Sequence, residues 1–417
     1  MSAGAEVAGA LARLREAGAE LRARAPAQVH AALADVLDAW RAPGSPWQAE
    51  LVERLPACTG FSPETVRRGL ALGLAPLGGE ALHALVRSEL GGTEALDPRA
   101  AASWQGFATT AVVLAGAIPL PTVTAMIAPL VLRSPVLVKL PAHDPVTAPL
   151  LARALAERMP ELGACIAIAD FRRDDPAALD ALCRAECVVA TGSDAAIAAL
   201  AARVAPARRF VGHGHRVSLA VIGEAATRGA ALLRAARGVA LDTALWDQLG
   251  CLSPIAVFVL GDLRAAERFA EALAGALTAL EHRMPRGRIE PAAAAAITRE
   301  RAEAELRAAA GEPVALRTGS GTAWTVVCEA GARLRPAPLH RFVRVQAVTP
   351  PELGGVLRGA PLAGLATCAV PHGLLLDGEA SRRCAPGRLQ TPPLAWPRGG
   401  LGVLTSLARR ATIESDA

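Results

Sequence analysis

Between residues 109 and 222 short apolar runs alternate with helical patterns. Runs at 109–115, 135–141, 164–169, 187–190, 210–211 and 217–222 read as strands; 122–132, 147–159, 176–185 and 195–204 read as helices. Strands separated by helices of this length are joined by crossovers, so they form a parallel sheet of βαβ units covered by helices. The interval 107–132 is apolar enough to suggest a membrane span, but Gly116, Pro119 and Pro121 break it into a strand, a turn and a buried helix. A second alternation follows Pro254: a strand at 255–260, helices at 263–282 and 291–310, strands at 324–328 and 341–348, and further βα elements to 370. Residues 1–100 read as helices at 4–24, 27–41, 64–75 and 78–90, and the tail from 382 reads as a Pro/Gly-rich loop followed by a last helix. A chain of 417 residues exceeds one ordinary core. The expected division is a helical arm or cover at 1–100, an α/β domain at 101–223, a second α/β domain at 224–380 and a tail at 381–417.

Composition excludes several classes. The net charge is +5, but the basic residues are dispersed, Arg pairs such as Arg208-Arg209 are short, and aromatics make up 3%. Nucleic-acid surfaces need basic clusters interleaved with aromatics, so no nucleic-acid partner is expected; an enzyme with an anionic cofactor or substrate fits better. Eight cysteines lack framework spacing, and the first 24 residues form an amphipathic pattern rather than a signal peptide, so reduced thiols in a cytoplasm are expected, with no membrane span.

Two positions stand out as chemistry. Cys251 lies in Trp246-Asp247-Gln248-Leu249-Gly250-Cys251-Leu252-Ser253-Pro254, between a long Ala-rich helical pattern starting near Glu224 and the strand at 255–260. Gly250 allows close backbone approach, and Pro254 is expected to stop the helix. A thiol at such a junction is a candidate nucleophile; the ordinary alternative is a small buried hydrophobe. Among 44 Lys and Arg residues the one lysine is Lys139, at the carboxyl end of an expected strand. An ammonium and a guanidinium are not interchangeable at a tight site, so a lysine kept where the composition favours arginine is a candidate ligand for a cofactor. Thr191-Gly192-Ser193 ends another strand and opens a helix, where a cap and an anion site coincide. No Gly-x-Gly-x-x-Gly is present. Cys183 with Cys187, and His213 with His215 on one strand face, offer too few ligands for zinc, so no metal is expected.

These segments resemble a family. Val136-Leu137-Val138-Lys139-Leu140-Pro141, Thr191-Gly192-Ser193 and Gln248-Leu249-Gly250-Cys251 are similar to the ribose-binding strand, the phosphate-side turn and the nucleophile segment of aldehyde dehydrogenases. The full Trp246 to Pro254 stretch, Val189 to Asp194, and Gly387-Arg388-Leu389-Gln390-Thr391-Pro392-Pro393 with Trp396 resemble the LuxC-type acyl-CoA (fatty acyl) reductases, over about 51–410. The resemblance implies an aldehyde-dehydrogenase-like fold of two α/β domains with a cleft between them, the NADP-binding one at 101–223 and the catalytic one, carrying Cys251, at 224–380. It implies an NADP(H)-dependent reduction of an acyl-CoA or acyl-protein thioester to an aldehyde through a covalent Cys251 thioester. Lys139, Thr191, Gly192 and Ser193 would hold the cofactor; an acyl-activating synthetase is an implied partner, and a homo-oligomer is expected.

The departures from the family pattern matter as much. Hydrolytic relatives need a carboxylate base, and the matching stretch here is Gly212-His213-Gly214-His215. The carboxylate that would hold the nicotinamide ribose is replaced by His340, before Arg341-Phe342. Ala142, three residues past Lys139, leaves room for a 2′-phosphate. Ala117 stands where the family has an asparagine that helps bind the oxyanion, a donor whose loss costs ~100-fold or more in rate. The alternatives are therefore a CoA-dependent or hydrolytic aldehyde dehydrogenase, or a catalytically weak acyl-holding scaffold.

Overall fold

The computed structural model describes residues 2–100, 102–375 and 380–412, which form two compact units. The first unit comprises residues 1–54, 73–215 and 393–417, and the second 55–72 and 216–392. Because both are built from separated stretches, each core is completed by segments far apart in sequence.

In the first unit the chain forms β1 (Ala102–Gly106), β2 (Thr110–Val113), β3 (Val136–Lys139), β4 (Ile166–Ala169), β5 (Cys187–Thr191) and β6 (Arg209–His213). Strands β2 to β6 make a parallel sheet in the order β4-β3-β2-β5-β6. The central strands β2, β3 and β5 are mostly apolar without alternation, as strands covered on both faces must be: Val112, Leu137, Val138 and Val188 are all essentially inaccessible. The chain winds outward from β2 to β4, then returns to the other side of β2 through β5. This doubly wound order has its switch point between β2 and β5, where ligands bind at the carboxyl ends of the strands. Helix Ala3–Ala23 lays Val7, Leu11 and Leu14, spaced for one helical face, onto the cluster of Leu137, Leu182 and Val188.

The second unit continues with β7 (Val217–Ile222), β8 (Pro254–Leu260), β9 (Val314–Thr318), β10 (Thr325–Ala330), β11 (Phe342–Val348), β12 (Leu362–Cys368) and β13 (Arg383–Cys384). They form a seven-stranded sheet in the order β13-β12-β7-β8-β11-β10-β9, parallel except where β9 runs against β10. Leu219, Val221 and Phe258 from its centre pack with Leu353, Leu357 and Leu365 in one core cluster. No single helix in the described residues is long and apolar enough to cross a membrane, and the apolar helix Pro119–Val131 has most of its residues buried in the first unit.

Several sequence expectations need correction. The long helix preceding Cys251 runs Gly229–Ala244 and stops ten residues before Pro254, which instead opens β8. The expected last helix is partly a strand, β14 (Ala408–Thr412), antiparallel to β1 with Trp104 opposite Arg410. Ser-Leu-Ala-Arg-Arg-Ala suits a helix as well as a strand, and the deciding partner lies 300 residues earlier. There, Arg409 and Arg410 stack over Phe107 and Trp104, at 4.4 and 5.8 Å from the ring centroids. Helix Pro46–Thr59 was not anticipated because Pro56 lies inside it, and β9 because it borders the sheet with only partly buried side chains. Strand β6 ends at His213, so His213 and His215 do not alternate along one strand. Cys183 caps a helix and Cys187 opens β5.

Candidate active site

After Ala244 the backbone leaves the helix and puts three consecutive non-glycine residues, Trp246, Asp247 and Gln248, in the left-handed region, with φ of 54°, 49° and 64°. Each costs roughly 1–2 kcal/mol outside glycine, so the stretch persists only because its side chains are held elsewhere. Trp246, 1% exposed, meets Phe61 edge-on at 5.5 Å and lies over Gly69, where an added Cβ would come within 2.2 Å of the indole. Asp247 accepts from the Gly287 N–H at 3.0 Å and from the Arg341 Nε at 3.0 Å. Gln248 donates to the carbonyls of Pro254 and Phe342 and accepts from the Phe342 N–H, each at 2.8 Å.

The partners on the other side are strained too. Leu339, His340 and Arg341 also have positive φ, at 64°, 55° and 68°. Arg341, 1% exposed, additionally reaches Glu281 at 2.6 Å and the Met284 carbonyl at 3.0 Å. Two left-handed stretches 94 residues apart are thus locked together by one buried ion pair and, at Phe342 just after the second, two hydrogen bonds. His340 is partly buried, and burial lowers its pKa, with Asp247 opposing and Arg286 reinforcing the shift.

Cys251 follows on a turn closed by the Ser253 N–H to the Gly250 carbonyl at 2.9 Å, and its side chain is exposed. Ser218, at the start of β7, donates to the Cys251 carbonyl at 2.7 Å. Of the other cysteines, Cys165, Cys187 and Cys328 are buried and their thiols are pushed up to about 12, far from a nucleophile at neutral pH.

The expected cofactor residues lie in the first unit. Lys139 ends β3; its Nζ donates to the Leu140 carbonyl at 2.8 Å and stands 5.7 Å from the Phe171 ring centroid. Burial lowers its pKa, and Asp170 opposes the shift. Thr191 ends β5, and Ser193 caps helix Asp194–Ala201 by accepting from the Ala196 N–H at 3.3 Å. The Gly192 N–H donates to the His213 carbonyl at 3.2 Å, and the His215 N–H donates to Asp194 Oδ1 at 2.7 Å. The Thr191–Ser193 turn and the Gly212–His215 stretch are therefore joined, whereas Lys139 lies two strands away across β2. The stretch without a carboxylate of its own does meet one, Asp194, at its backbone. A cavity of about 790 Å³ runs along the open edge of β4 beneath helix Ala3–Ala23, and its lining includes Asp170 and Phe171.

Sequence reasoning assigned no role to Asp247, Gln248, Ser218, Asp242 or Gln390. Asp247 and Gln248 carried a signal, polar residues in an apolar run beside the cysteine; the other three acquire meaning only from partners distant in sequence.

The fold has close counterparts among solved structures. An NAD-dependent benzaldehyde dehydrogenase from Corynebacterium glutamicum matches with a TM-score of 0.76 at 13% identity, covering 100% of this chain and 90% of that one. A salicylaldehyde dehydrogenase from Pseudomonas putida G7, complexed with salicylaldehyde, matches at 0.75 and 14%, covering 98% and 89%. A mutant of aldehyde dehydrogenase C from Pseudomonas syringae, complexed with NAD+ and octanal, matches at 0.74 and 14%, covering 99% and 90%. At these identities the likeness is one of fold, and the fold is that of the aldehyde dehydrogenases. No curated protein sequence matches the chain. The family described as acyl-CoA reductase (LuxC) matches residues 25–358, most of the chain, and with the Cys251 segment inside that span the protein belongs to the LuxC acyl-CoA reductase family.

Proposed function

We propose that the protein reduces an acyl thioester to an aldehyde, with Cys251 as nucleophile. The observation that carries this reading is the Cys251 turn: an exposed thiol three residues after a strained stretch that buried contacts sustain. Strain of that kind collects where a side chain must be held in one place for chemistry.

The Cys251 thiolate attacks the carbonyl carbon of the acyl thioester. The carrier sulfur leaves with its electron pair and takes up a proton, and the acyl group stays on Sγ as a new thioester. Backbone N–H groups around the turn are the donors for the oxyanion, because Ala117, in its buried loop, offers no side-chain donor. The acyl group leaves as aldehyde when the C–S bond breaks, and the thiolate returns to Cys251.

The residues of the first unit fit a nicotinamide dinucleotide. The sheet has the doubly wound order with its switch point between β2 and β5, the Ser193-capped helix follows β5, and Lys139 gives one hydrogen bond to a carbonyl and has further protons for a ribose. Lys139, Thr191, Gly192 and Ser193 would hold it, and when bound it supplies the two electrons and the hydrogen that the reduction needs. With alanine at 142 in place of a carboxylate, NADPH is the expected form. The measure is kcat/KM with NADPH against NADH, and Ala142→Glu should move the ratio toward NADH by about tenfold or more, the effect of one charge repelled.

Intact-mass spectrometry after mixing with an acyl-CoA tests the reading. An acyl adduct on the wild type, absent in Cys251→Ala and discharged as aldehyde on adding NADPH, is expected. An adduct that NADPH leaves untouched favours an acyl-holding protein, the reading that Ala117 supports. Release as free acid favours hydrolysis.

A further inference from the structure

Three successive residues of the turn, Cys251, Leu252 and Ser253, are each gripped by a segment from elsewhere in the second unit. The Cys251 carbonyl accepts from Ser218. Leu252, Ser218 and Leu389 converge on Gly364, where an added Cβ would lie 3.2, 3.1 and 2.8 Å from them. Ser253 Oγ accepts from Gln390 Nε2 at 2.8 Å. Two of the three grips come from one loop at 385–391, whose own bonds are two turns, Arg388 N–H to the Ala385 carbonyl at 3.2 Å and Thr391 N–H to the Arg388 carbonyl at 3.3 Å. What ties these turns to the rest of the unit is Asp242, in the last turn of helix Gly229–Ala244. The Asp242 carboxylate, 0% exposed, accepts from the Gly387 N–H at 2.7 Å on one oxygen and from the Leu389 N–H at 3.0 Å on the other. The Asp242 carbonyl accepts from Gln390 Nε2 at 3.1 Å, so one amide ties helix, loop and cysteine turn together. Arg382 closes the far side of the loop by donating to the carbonyls of Arg388 and Thr391.

We propose that Asp242 and Gln390 are positioning residues for the reaction at Cys251, holding from beneath the turn that carries the thiol. Neither is offered as a group that touches substrate. A buried carboxylate is costly unless its hydrogen bonds are made, and here they are spent on two backbone N–H groups of an irregular loop. The same loop would be stable with an apolar residue at 390 if all it had to do was cover the sheet. A glutamine there, 6% exposed and donating to Ser253, ties the loop to the residue two positions after the thiol. An error of about 1 Å in the placement of a reacting atom can cost on the order of 100-fold in rate, so the link has a kinetic consequence out of proportion to its contribution to stability.

The inference rests on Cys251 being the reactive thiol, so its test includes an arm that needs no reductase activity. The variants are Gln390→Met, which keeps the shape and removes both donated bonds, Ser253→Ala, and the two combined, each confirmed folded by circular dichroism and Tm. The rate of iodoacetamide alkylation is followed at the Cys251 and Cys58 peptides by mass spectrometry, and kcat and KM are followed with an acyl-CoA and NADPH. The expected result is a change of about fivefold or more in alkylation at Cys251 and none at the exposed Cys58. A similar fall in kcat with KM for NADPH held is also expected, and the double variant should be no worse than Gln390→Met alone, the mark of one shared interaction. Asp242→Asn should reproduce the pattern; should it fail to fold, Gln390→Met still decides. Folded variants with wild-type Cys251 alkylation and kcat, or with losses that add, overturn the proposal. Should the wild type reduce no acyl-CoA, the function proposed above fails while the alkylation arm still judges Asp242 and Gln390.

Discussion

Trp246 shows how much one side chain can decide. Its left-handed φ is unfavourable alone, but the indole fills the space above Gly69 and beside Phe61, and that burial keeps the backbone turned. A methyl at 69 would lie 2.2 Å from the ring, so Gly69→Ala must displace Trp246. Overpacking of this kind costs roughly 1–3 kcal/mol. A lowered Tm together with an altered Cys251 alkylation rate is expected, and a change in Tm alone would mean the turn does not depend on Trp246. At Lys139 the expected effect is confined to the cofactor. Lys139→Met keeps the buried stem and removes the ammonium, so cofactor affinity measured by fluorescence or calorimetry should fall about tenfold or more while Tm holds, consistent with one lost charged hydrogen bond.

At the scale of elements, the decisive contact is the lock between the stretch before Cys251 and the stretch before β11. Arg341 joins Asp247 and Glu281 with 1% of its surface exposed. Arg341→Met would leave Asp247 buried without its counter-charge, and breaking one side of a buried pair costs roughly 3–5 kcal/mol. The urea midpoint should drop accordingly, whereas replacing Asp247 and Arg341 together by apolar residues of similar size should recover part of the loss. Most elements were legible in advance: β3, β5, β7 and β8, and the helices between them, follow from apolar runs bounded by Gly, Pro and Asp, which act locally. The end of the helix before Cys251 was not. Residues 245–249 include the helix formers Leu245, Gln248 and Leu249 and no glycine or proline, and what stops the helix is the pull of Phe61, Gly287 and Phe342 on side chains at 246, 247 and 248. The strand at 408–412 escaped for the same reason, since its partner β1 is remote.

For the whole molecule, two buried groups give stability opposite dependences on pH. His30 and His83, on helices Pro26–Arg41 and Gly79–Leu90, face each other with Nε2 and Nδ1 2.6 Å apart, and burial, reinforced by His83, lowers the His30 pKa from 6.5 to about 4. The unfolded chain then binds more protons than the native one between those values, so this pair favours folding above about pH 6.5 and loses that contribution as pH falls toward 4. Asp242 behaves in the opposite sense. Burial raises it from 3.8 to about 7, against the Gly387, Leu389 and Gln390 hydrogen bonds and the Arg382 charge, so the native state binds the extra proton and stability falls as pH rises through that window. Across the shared window the two slopes oppose each other, so these groups together should leave the wild-type urea midpoint nearly level between about pH 4 and 6.5. His30→Gln should expose the Asp242 slope, a midpoint that falls as pH rises, and Asp242→Asn the His30 slope, a midpoint that rises; variants with the wild-type profile would remove these groups as the cause.

What the sequence by itself determined is whatever local patterning encodes: the parallel α/β class, the position of most strands and helices, and a thiol, a lysine and a Thr-Gly-Ser turn placed at or beside element ends. What only the tertiary structure decided is how the Cys251 turn is held. Asp247 with Arg341, Gln248 with Phe342, Ser218 with Cys251, and Gln390 with Asp242 and Ser253 are contacts across 33 to 148 residues. Such contacts leave no periodic trace, because a buried polar side chain looks the same in sequence whether or not its partner exists. Their strength comes from burial, which makes a satisfied hydrogen bond valuable and an unsatisfied one costly, and burial is a property of the folded chain alone.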